Sequence, residues 1–215
     1  FFLTAAGRWF DLYGGRVMVT LSSIALGLMI IYISIVDLLA DSFEFGAATF
    51  VFIFLGYLGV RFFGQGVLTS CSRNVLMPWF VSRRGLVSGI RGVFVSVGFS
   101  LAPLPLAILI TEFGWRETLW FLAVVVGVLF PALSYLFLRD KPEDLGLLAD
   151  GGVSGRDTLR EEAPSKTLVE ARLSMTFWLY SAALGIHALF GTALTFHIVS
   201  IFNEADRSME EAFLY

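Results

Sequence analysis

The stretch Thr118–Leu138, TLWFLAVVVGVLFPALSYLFL, is a run of 21 residues without a charged side chain. A helix needs about 20 apolar residues to cross the hydrocarbon core of a bilayer. Further uncharged runs have 20, 20 and 31 residues, and they lie at Val17–Val36, Gly92–Thr111 and Leu173–Asn203. Phe45–Ser72 is another run of this kind, broken only by one arginine. The sequence therefore predicts five membrane-spanning helices.

The composition agrees with this prediction. Hydrophobic residues make up 57% of the chain and charged residues 15%, with a mean hydropathy of +0.79, whereas a soluble domain carries roughly 25% charged residues. Unpaired backbone groups are not tolerated in lipid, which favours helices over open strands. We expect an all-α, polytopic membrane protein with about five full transmembrane helices, and residues 1–6, FFLTAA, read as the end of one more.

The basic residues are distributed unevenly between the predicted connections. Connections on one side carry only Arg116 and Arg207. Those on the other side carry Arg8, Arg16, Arg73, Arg83, Arg84, Arg91, Arg139, Lys141, Arg156, Arg160, Lys166 and Arg172. By the positive-inside rule, loops 7–16, 73–91 and 139–172 are predicted to be cytoplasmic.

Residues 139–172 form the one long hydrophilic segment, with 14 of the 33 charged residues of the chain. Such a composition is typical of a surface linker. It predicts three parts: a helical bundle over residues 1–138, a cytoplasmic linker over 139–172, and the beginning of a second bundle over 173–215. A short amphipathic helix is one way in which part of the linker could fold.

Arg61 is the most costly residue of the predicted spans. A charge at the centre of a bilayer costs about 2.5 kcal/mol or more. Either the span ends at Arg61 and the guanidinium reaches the surface, or the side chain faces a water-filled cavity inside the bundle. We favour the second interpretation, because the first leaves Phe62, Phe63, Val67 and Leu68 in water.

The segment Gly89–Pro105, GIRGVFVSVGFSLAPLP, combines glycines with two prolines inside a predicted span. Proline removes a helical hydrogen bond and favours a kink. The segment is a candidate hinge beside a cavity, although a fixed bend explains the same residues equally well.

The sequence offers no pattern for catalysis or metal binding. His187 and His197 are ten residues apart and do not share one helix face, whereas a metal pair wants three- or four-residue spacing. The single Cys71 predicts a buried, inert thiol. The stretch Gly64–Thr69, GQGVLT, lacks the third glycine of a dinucleotide site. We therefore expect no enzyme activity, no cofactor, no metal and no nucleic-acid partner.

Three motifs, in order along the chain, resemble signatures of the major facilitator superfamily. The first is GRWFDLYGGR, in which Gly7, Asp11, Gly14 and Arg16 match the pattern of the loop between the second and third helices, while Leu12 and Gly15 stand where basic residues are usual. The second, RFFGQG at Arg61–Gly66, is similar to the fourth-helix signature. The third resembles the antiporter motif of the fifth helix and comprises Gly89, Gly98, Ala102 and Pro103.

Other stretches resemble the monocarboxylate-transporter and oxalate/formate-antiporter branch of that superfamily. They are WFVSRRGLVSGI at 79–90, FGWRETLWFL at 113–122 and LRDKPEDLGLLADG at 138–151. The resemblance implies twelve helices in two six-helix halves, so that this chain runs from the end of helix 2 to just past helix 7. It implies a helical bundle, a multi-pass protein of the cytoplasmic membrane, and a small carboxylate as substrate, with protons as a candidate co-substrate.

We therefore expect secondary transport by alternating access. Asp11 is expected near a helix N-terminus as the latch of a cytoplasmic gate, and Arg61 as a coupling or cavity charge. Polar residues within spans are weaker cavity candidates: Tyr57, Gln65, Ser96, His187 and Thr195. Transport of a drug, sugar or other neutral solute, and a non-transporting receptor or assembly role, are the alternatives.

Overall fold

The computed structural model describes residues 2–41, 46–152 and 168–206. The expectations for Arg156, Arg160, Lys166 and Arg207 lie outside these residues. Within the described residues, five helices are long and apolar enough to cross a membrane. These spans are Leu3–Ser34, Thr49–Trp79, Arg84–Phe113, Trp115–Phe137 and Met175–Ile198. The predicted all-α, polytopic class is confirmed, and the described residues contain no strand.

The spans are divided into shorter elements by local breaks. The α-helices are α1 Phe2–Ser34, α2 Val36–Asp41, α3 Gly46–Val60, α4 Thr69–Asn74, α5 Leu76–Trp79, α6 Arg84–Leu101, α7 Pro103–Phe113, α8 Trp115–Val124, α9 Phe130–Phe137, α10 Leu168–Leu173 and α11 Met175–Glu204. Segments Arg61–Leu68 and Val125–Leu129 are π-helical, and Pro142–Leu145 and Ala149–Gly152 are 3₁₀ turns.

The chain forms two compact units, Phe1–Ser154 and Gly155–Tyr215. The first unit thus continues past Leu138, because the 3₁₀ turns after α9 fold back onto the bundle. The second unit, taken by itself, contains α10 and α11, and Trp178 Nε1 donates a hydrogen bond to the carbonyl of Arg172 (2.8 Å). Part of the predicted linker is therefore helical.

Helix α1 is central to the first unit. It packs against α3, the Arg61–Leu68 segment, α8 and α9. A small core lies where α1 meets the Arg61–Trp79 part of the chain, and it includes Met18, Val67 and Cys71. The predicted burial of Cys71 is confirmed.

The predicted connection 7–16 is mostly helical, in contrast to the expectation of a loop. Only Gly14 leaves helical geometry, with φ 81° and ψ 164°, and two helices meet there. A positive φ of this kind is readily adopted by glycine alone. The connection is therefore a break at a single residue, and its charged residues before Gly14 extend the first helix.

Two glycines allow α1 and the Trp115–Phe137 span to approach closely. A Cβ atom added to Gly27 would lie 2.5 Å from the Cα of Gly127. Nearby, the Ser23 hydroxyl donates to the carbonyl of Val126, and Ser23 is fully buried. Small residues commonly permit such contacts between membrane helices. This crossing fixes the two helices against each other without bulky side chains.

The end of the unit remote from the basic connections is closed by Arg116. Its Nη2 is paired with Asp37, and its Nε donates to the carbonyl of Ser34 (3.0 Å). Trp120 Nε1 donates to the Ser34 hydroxyl (2.9 Å). Gly114, with φ 95°, lets α7 reverse into α8 just before these residues. The FGWR stretch is thus a structural corner.

Candidate functional site: a polar helix face, a groove and the basic end

The RFFGQG motif lies in the π-helical segment Arg61–Leu68. Long π-helices are rare, and short π-helical insertions are frequent at functional sites. The Thr69 hydroxyl donates to the carbonyl of Gly64, five residues earlier (3.3 Å). The helix continues to Trp79, so no helix end coincides with Arg61. The interpretation that Arg61 faces a water-filled cavity stays a prediction.

Three predicted cavity residues lie on one side of this helix. Tyr57, Arg61 and Gln65 are spaced by four residues each, and all three are exposed. Gly56 and Val67, on other faces of the helix, are buried. Arg61 has no ion pair among residues 2–41, 46–152 and 168–206. The structure therefore gathers these polar groups into one face, which we call the Arg61 face.

A separate groove is formed by residues of α1, α4, α6 and α9, together with Leu68. Its volume is about 500 Å³. Its lining is mainly apolar and includes Val19, Leu68, Phe94, Phe99 and Phe130. Gly98 and Ala102, predicted as parts of the hinge motif, line it as well.

The residues of the predicted hinge motif differ in backbone hydrogen bonding and in the space around them. Helix α6 ends at Leu101 and α7 begins at Pro103, but Ala102 between them keeps helical dihedral angles. The interruption therefore lies in the hydrogen bonds that the prolines cannot make. A Cβ added to Gly89 or Gly98 would meet no atom within 4 Å, so neither glycine is required by a close contact with the described residues.

The remaining cavity candidates belong neither to the Arg61 face nor to the groove. Ser96 is exposed and is not among the residues that line the groove. His187 and Thr195 belong to the second unit, and both are exposed. The Thr195 hydroxyl donates to the carbonyl of Gly191 in its own helix (2.8 Å).

The gate motif is held by Asp140, a residue that the sequence reasoning missed. Asp140 Oδ1 accepts a hydrogen bond from the backbone N–H of Arg16 (2.7 Å), the second residue after the Gly14 break. Asp140 thus acts as an N-cap for the helix that begins there, although it comes from the other end of the unit. Space for it depends on Gly14, since an added Cβ would lie 2.5 Å from Asp140 Oδ2.

Arg16 and Gly15 complete this contact. Arg16 Nε donates to the carbonyl of Tyr135 (2.6 Å), and its guanidinium lies 4.1 Å from the centre of the Tyr135 ring. Gly15 is buried against Val75 and Asp140. Gly7, in contrast, is exposed and has open space around it.

The expected position of Asp11 at a helix N-terminus is wrong. Asp11 lies three residues before the break at Gly14, at the end of the preceding helix, and it is exposed. The carboxylate at the following N-terminus belongs to Asp140. Asp11 shares a small pocket of about 190 Å³ with Asp140 and Lys141, but its carboxylate is open to a partner.

Replacement of Asp140 by alanine should lower the thermal unfolding midpoint of the protein. Loss of an N-cap costs about 0.5–2 kcal/mol, and the Arg16 N–H then loses its partner. Asp11→Asn is the matched control, because Asp11 lies in the same pocket without capping a helix, and its midpoint should equal that of the wild type. Equal midpoints for Asp140→Ala and the wild type would contradict the role given to Asp140.

Asp150 makes a second contact at the end of the first unit that carries most of the basic residues, which we call the basic end. Its Oδ2 accepts hydrogen bonds from the Ser82 N–H (2.8 Å), the Ser82 hydroxyl (2.9 Å) and the Val81 N–H (3.1 Å). These donors immediately precede α6. The backbone N–H of Ser82 is the main cause that lowers the pKa of Asp150 below its ordinary value. Two stretches of the branch resemblance, WFVSRRG and the DG tail, therefore contact each other.

The Asp150 contact should depend on pH in a defined direction. A carboxylate whose pKa is lowered in the folded state stabilises it above the unfolded pKa, and this stabilisation is lost as the pH falls through the folded pKa. Asp150→Asn should therefore lower the thermal midpoint at pH 7, and the difference should vanish once the pH has fallen through the lowered pKa of the folded-state carboxylate. Glu143→Gln, an exposed change on the same segment, should have no effect at either pH. A pH-independent difference would contradict this prediction.

Comparison with known proteins identifies the family. The model of the Major Facilitator Superfamily matches residues 1–214. The chain belongs to the major facilitator superfamily. No curated protein and no solved structure matched in the corresponding comparisons. Membership in the superfamily identifies the chain as that of a multi-pass integral membrane transporter, and the superfamily is one of transporters rather than of enzymes. A small solute and the lipid bilayer are its expected partners.

Proposed function

We propose that the protein transports a small organic anion, a monocarboxylate or dicarboxylate, by alternating access, either with protons or in exchange for a second anion. The observation that carries the proposal is the exposed Arg61 in the middle of the Thr49–Trp79 span. It has no carboxylate partner in the described parts of the chain, and Tyr57 and Gln65 lie on the same face.

The cost of such a charge supports an anionic partner. An arginine at the centre of a membrane span costs about 2.5–3.5 kcal/mol by insertion scales, and such residues usually mark pathways for substrates or ions. A guanidinium binds a carboxylate through two parallel hydrogen bonds, and it does so more strongly than neutral donors. An anion that enters the Arg61 face from water would therefore offset much of the cost.

The same arrangement is consistent with proton coupling. In the branch that the sequence resembles, cationic partners of the anion are placed mainly on the first and eighth helices. We therefore assign Arg61 to coupling or to polarisation of the cavity, with direct ligation as the second option. Tyr57 and Gln65 would hydrogen bond to the anion or to water beside it, whereas Ser96, His187 and Thr195 remain weaker candidates.

The basic end is proposed as the cytoplasmic gate. Gly14, Gly15 and Arg16 are fixed by Asp140, while the exposed Asp11 is free to pair with a cation in one state and to release it in the other. The interrupted hydrogen bonds at Ala102–Pro103 would allow the Arg84–Phe113 span to bend as the gate moves. The cytoplasmic membrane, with the basic end inside, is the proposed location.

Counterflow in proteoliposomes tests the proposal. Vesicles preloaded with unlabelled solute are given the radiolabelled solute, with formate, lactate and oxalate as the anions, and glucose and tetraphenylphosphonium as the neutral and cationic controls. We expect accumulation of at least one carboxylate and none of the two controls. Accumulation of a control alone would favour the neutral-solute or drug alternative, and no accumulation of any solute would favour the receptor or assembly role.

A further inference from the structure

A second arginine lies inside the Arg84–Phe113 span of the structure and lines the groove. Arg91 is in α6, seven residues after its first residue, Arg84. At 1.5 Å per residue this places it about 10 Å along the helix from its basic end. Its side chain is partly buried, and it lines the groove together with Ser72.

The contacts of Arg91 leave its charge without a counter-ion. Both Nε (3.1 Å) and Nη2 (2.8 Å) donate to one oxygen, the Ser72 hydroxyl. That hydroxyl in turn donates to the carbonyl of Thr69 (2.9 Å). A guanidinium has five N–H donors, so most of them stay available. No carboxylate of residues 2–41, 46–152 or 168–206 forms an ion pair with Arg91.

Arg91 is bound differently from Arg84 and Arg116, because it donates to a side-chain hydroxyl. Arg84 donates to carbonyls of its own chain segment, at Phe80 and Met77. Arg116 is paired with Asp37 at the remote end. Arg91 is instead bound to a single neutral acceptor beside apolar walls. A guanidinium that is partly buried and has no counter-ion is stabilised by an anion that can reach its remaining donors.

The groove beyond Arg91 has the size of a small-ligand site. Its volume of about 500 Å³ is within the roughly 300–1,000 Å³ of known ligand pockets. Apolar side chains, including Phe94 and Phe99, line it, and the small residues Gly98 and Ala102 leave space on the α6 side. An organic anion would place its charged end at Arg91 and its apolar part along these residues.

We propose that Arg91 binds the carboxylate of the transported anion at the basic end of the groove, and that Ser72 positions the guanidinium. The proposal rests on the proposed function and extends it by a second anion subsite, at a depth different from that of Arg61. Substrate entering or leaving at the basic end would pass this subsite.

Transport kinetics test the subsite. In neutral phosphatidylcholine vesicles, Arg91→Gln should raise the KM for the carboxylate that the wild type transports by about ten- to hundredfold, because one charge-assisted contact is lost. Arg91→Lys should show a smaller increase, since a lysine keeps the charge but not the planar donors. Ser72→Ala should raise KM about two- to fivefold by releasing the guanidinium.

Arg84→Gln is the matched control, because Arg84 lies on the same helix and donates only to backbone carbonyls; its KM should be unchanged. Equal protein content per vesicle separates a binding defect from poor folding. An unchanged KM in Arg91→Gln, with an active wild type, would overturn the subsite alone. A wild type that transports no carboxylate would overturn the proposed function as well.

The phosphate group of a lipid is the other anion that can bind the Arg91 guanidinium. A second experiment distinguishes lipid binding from substrate binding. The four variants are compared in vesicles with and without phosphatidylglycerol. An effect of Arg91→Gln that is present in phosphatidylcholine alone supports the substrate subsite. An effect that is confined to vesicles containing phosphatidylglycerol would show a lipid site and overturn the proposal.

Discussion

Arg61→Gln should reduce counterflow of the transported carboxylate by about 100-fold, which corresponds to roughly 2.7 kcal/mol. Glutamine keeps some hydrogen bonding, but it is shorter and removes the charge that favours an anion in the middle of the span. Charge-assisted hydrogen bonds are about twice as strong as neutral ones. The initial rate of uptake of radiolabelled solute into preloaded proteoliposomes measures the loss.

Two further variants make the Arg61 result specific. Arg61→Lys should retain part of the activity, because its ammonium keeps the charge without the planar pair of donors. Arg73→Gln changes an exposed arginine in the last turn of α4, on the same span, and should retain wild-type rates. Full activity of Arg61→Gln would remove Arg61 from the mechanism, and an equal loss in Arg73→Gln would point to a general effect of charge.

Gly27→Ala should lower the free energy of unfolding by about 1–3 kcal/mol, the usual cost of overpacking. The added methyl group would lie 2.5 Å from the backbone of Gly127. A flexible side chain could move away, but here the two helices themselves must separate. The thermal midpoint in detergent should fall by roughly 2–4 °C for each kcal/mol.

A second glycine provides a matched control of opposite sign. Gly89 lies inside α6 with no atom within 4 Å of an added Cβ. Alanine has a higher helix propensity than glycine, by about 1 kcal/mol. Gly89→Ala should therefore leave the midpoint unchanged or raise it. If the two variants shift the midpoint alike, the Gly27–Gly127 crossing does not stabilise the bundle.

The fold class could be predicted from the sequence because it depends on a local property. An uncharged run such as Thr118–Leu138 is long enough to span a membrane wherever its neighbours lie. The extent of the helices was harder to predict. Arg91 lies just outside the uncharged run that begins at Gly92, yet α6 begins at Arg84, so that counting charges places Arg91 in a connection and the structure places it in a helix.

The contacts at the basic end could not be predicted, because they join distant parts of the chain. Arg16 and Asp140 are 124 positions apart, and Ser82 and Asp150 are 68 apart. No periodicity relates such residues. A carboxylate just after an apolar run, as at Asp140, indicates a helix cap only when the helix that it faces is known. The sequence alone therefore places Asp11 of the GRWFDLYGGR motif at the helix N-terminus after Gly14, where the structure has Asp140.

The late position of Asp140 and Asp150 in the chain also bears on biosynthesis. Chains are made from the N-terminus, and early segments fold first. The break at Gly14 and the turn before α6 therefore emerge from the ribosome well before the carboxylates that accept their backbone hydrogen bonds. We expect the nascent bundle to lack both contacts until about residue 150 is made, so that a truncation before Asp140 should be more sensitive to proteolysis at 14–16 than one after Gly152.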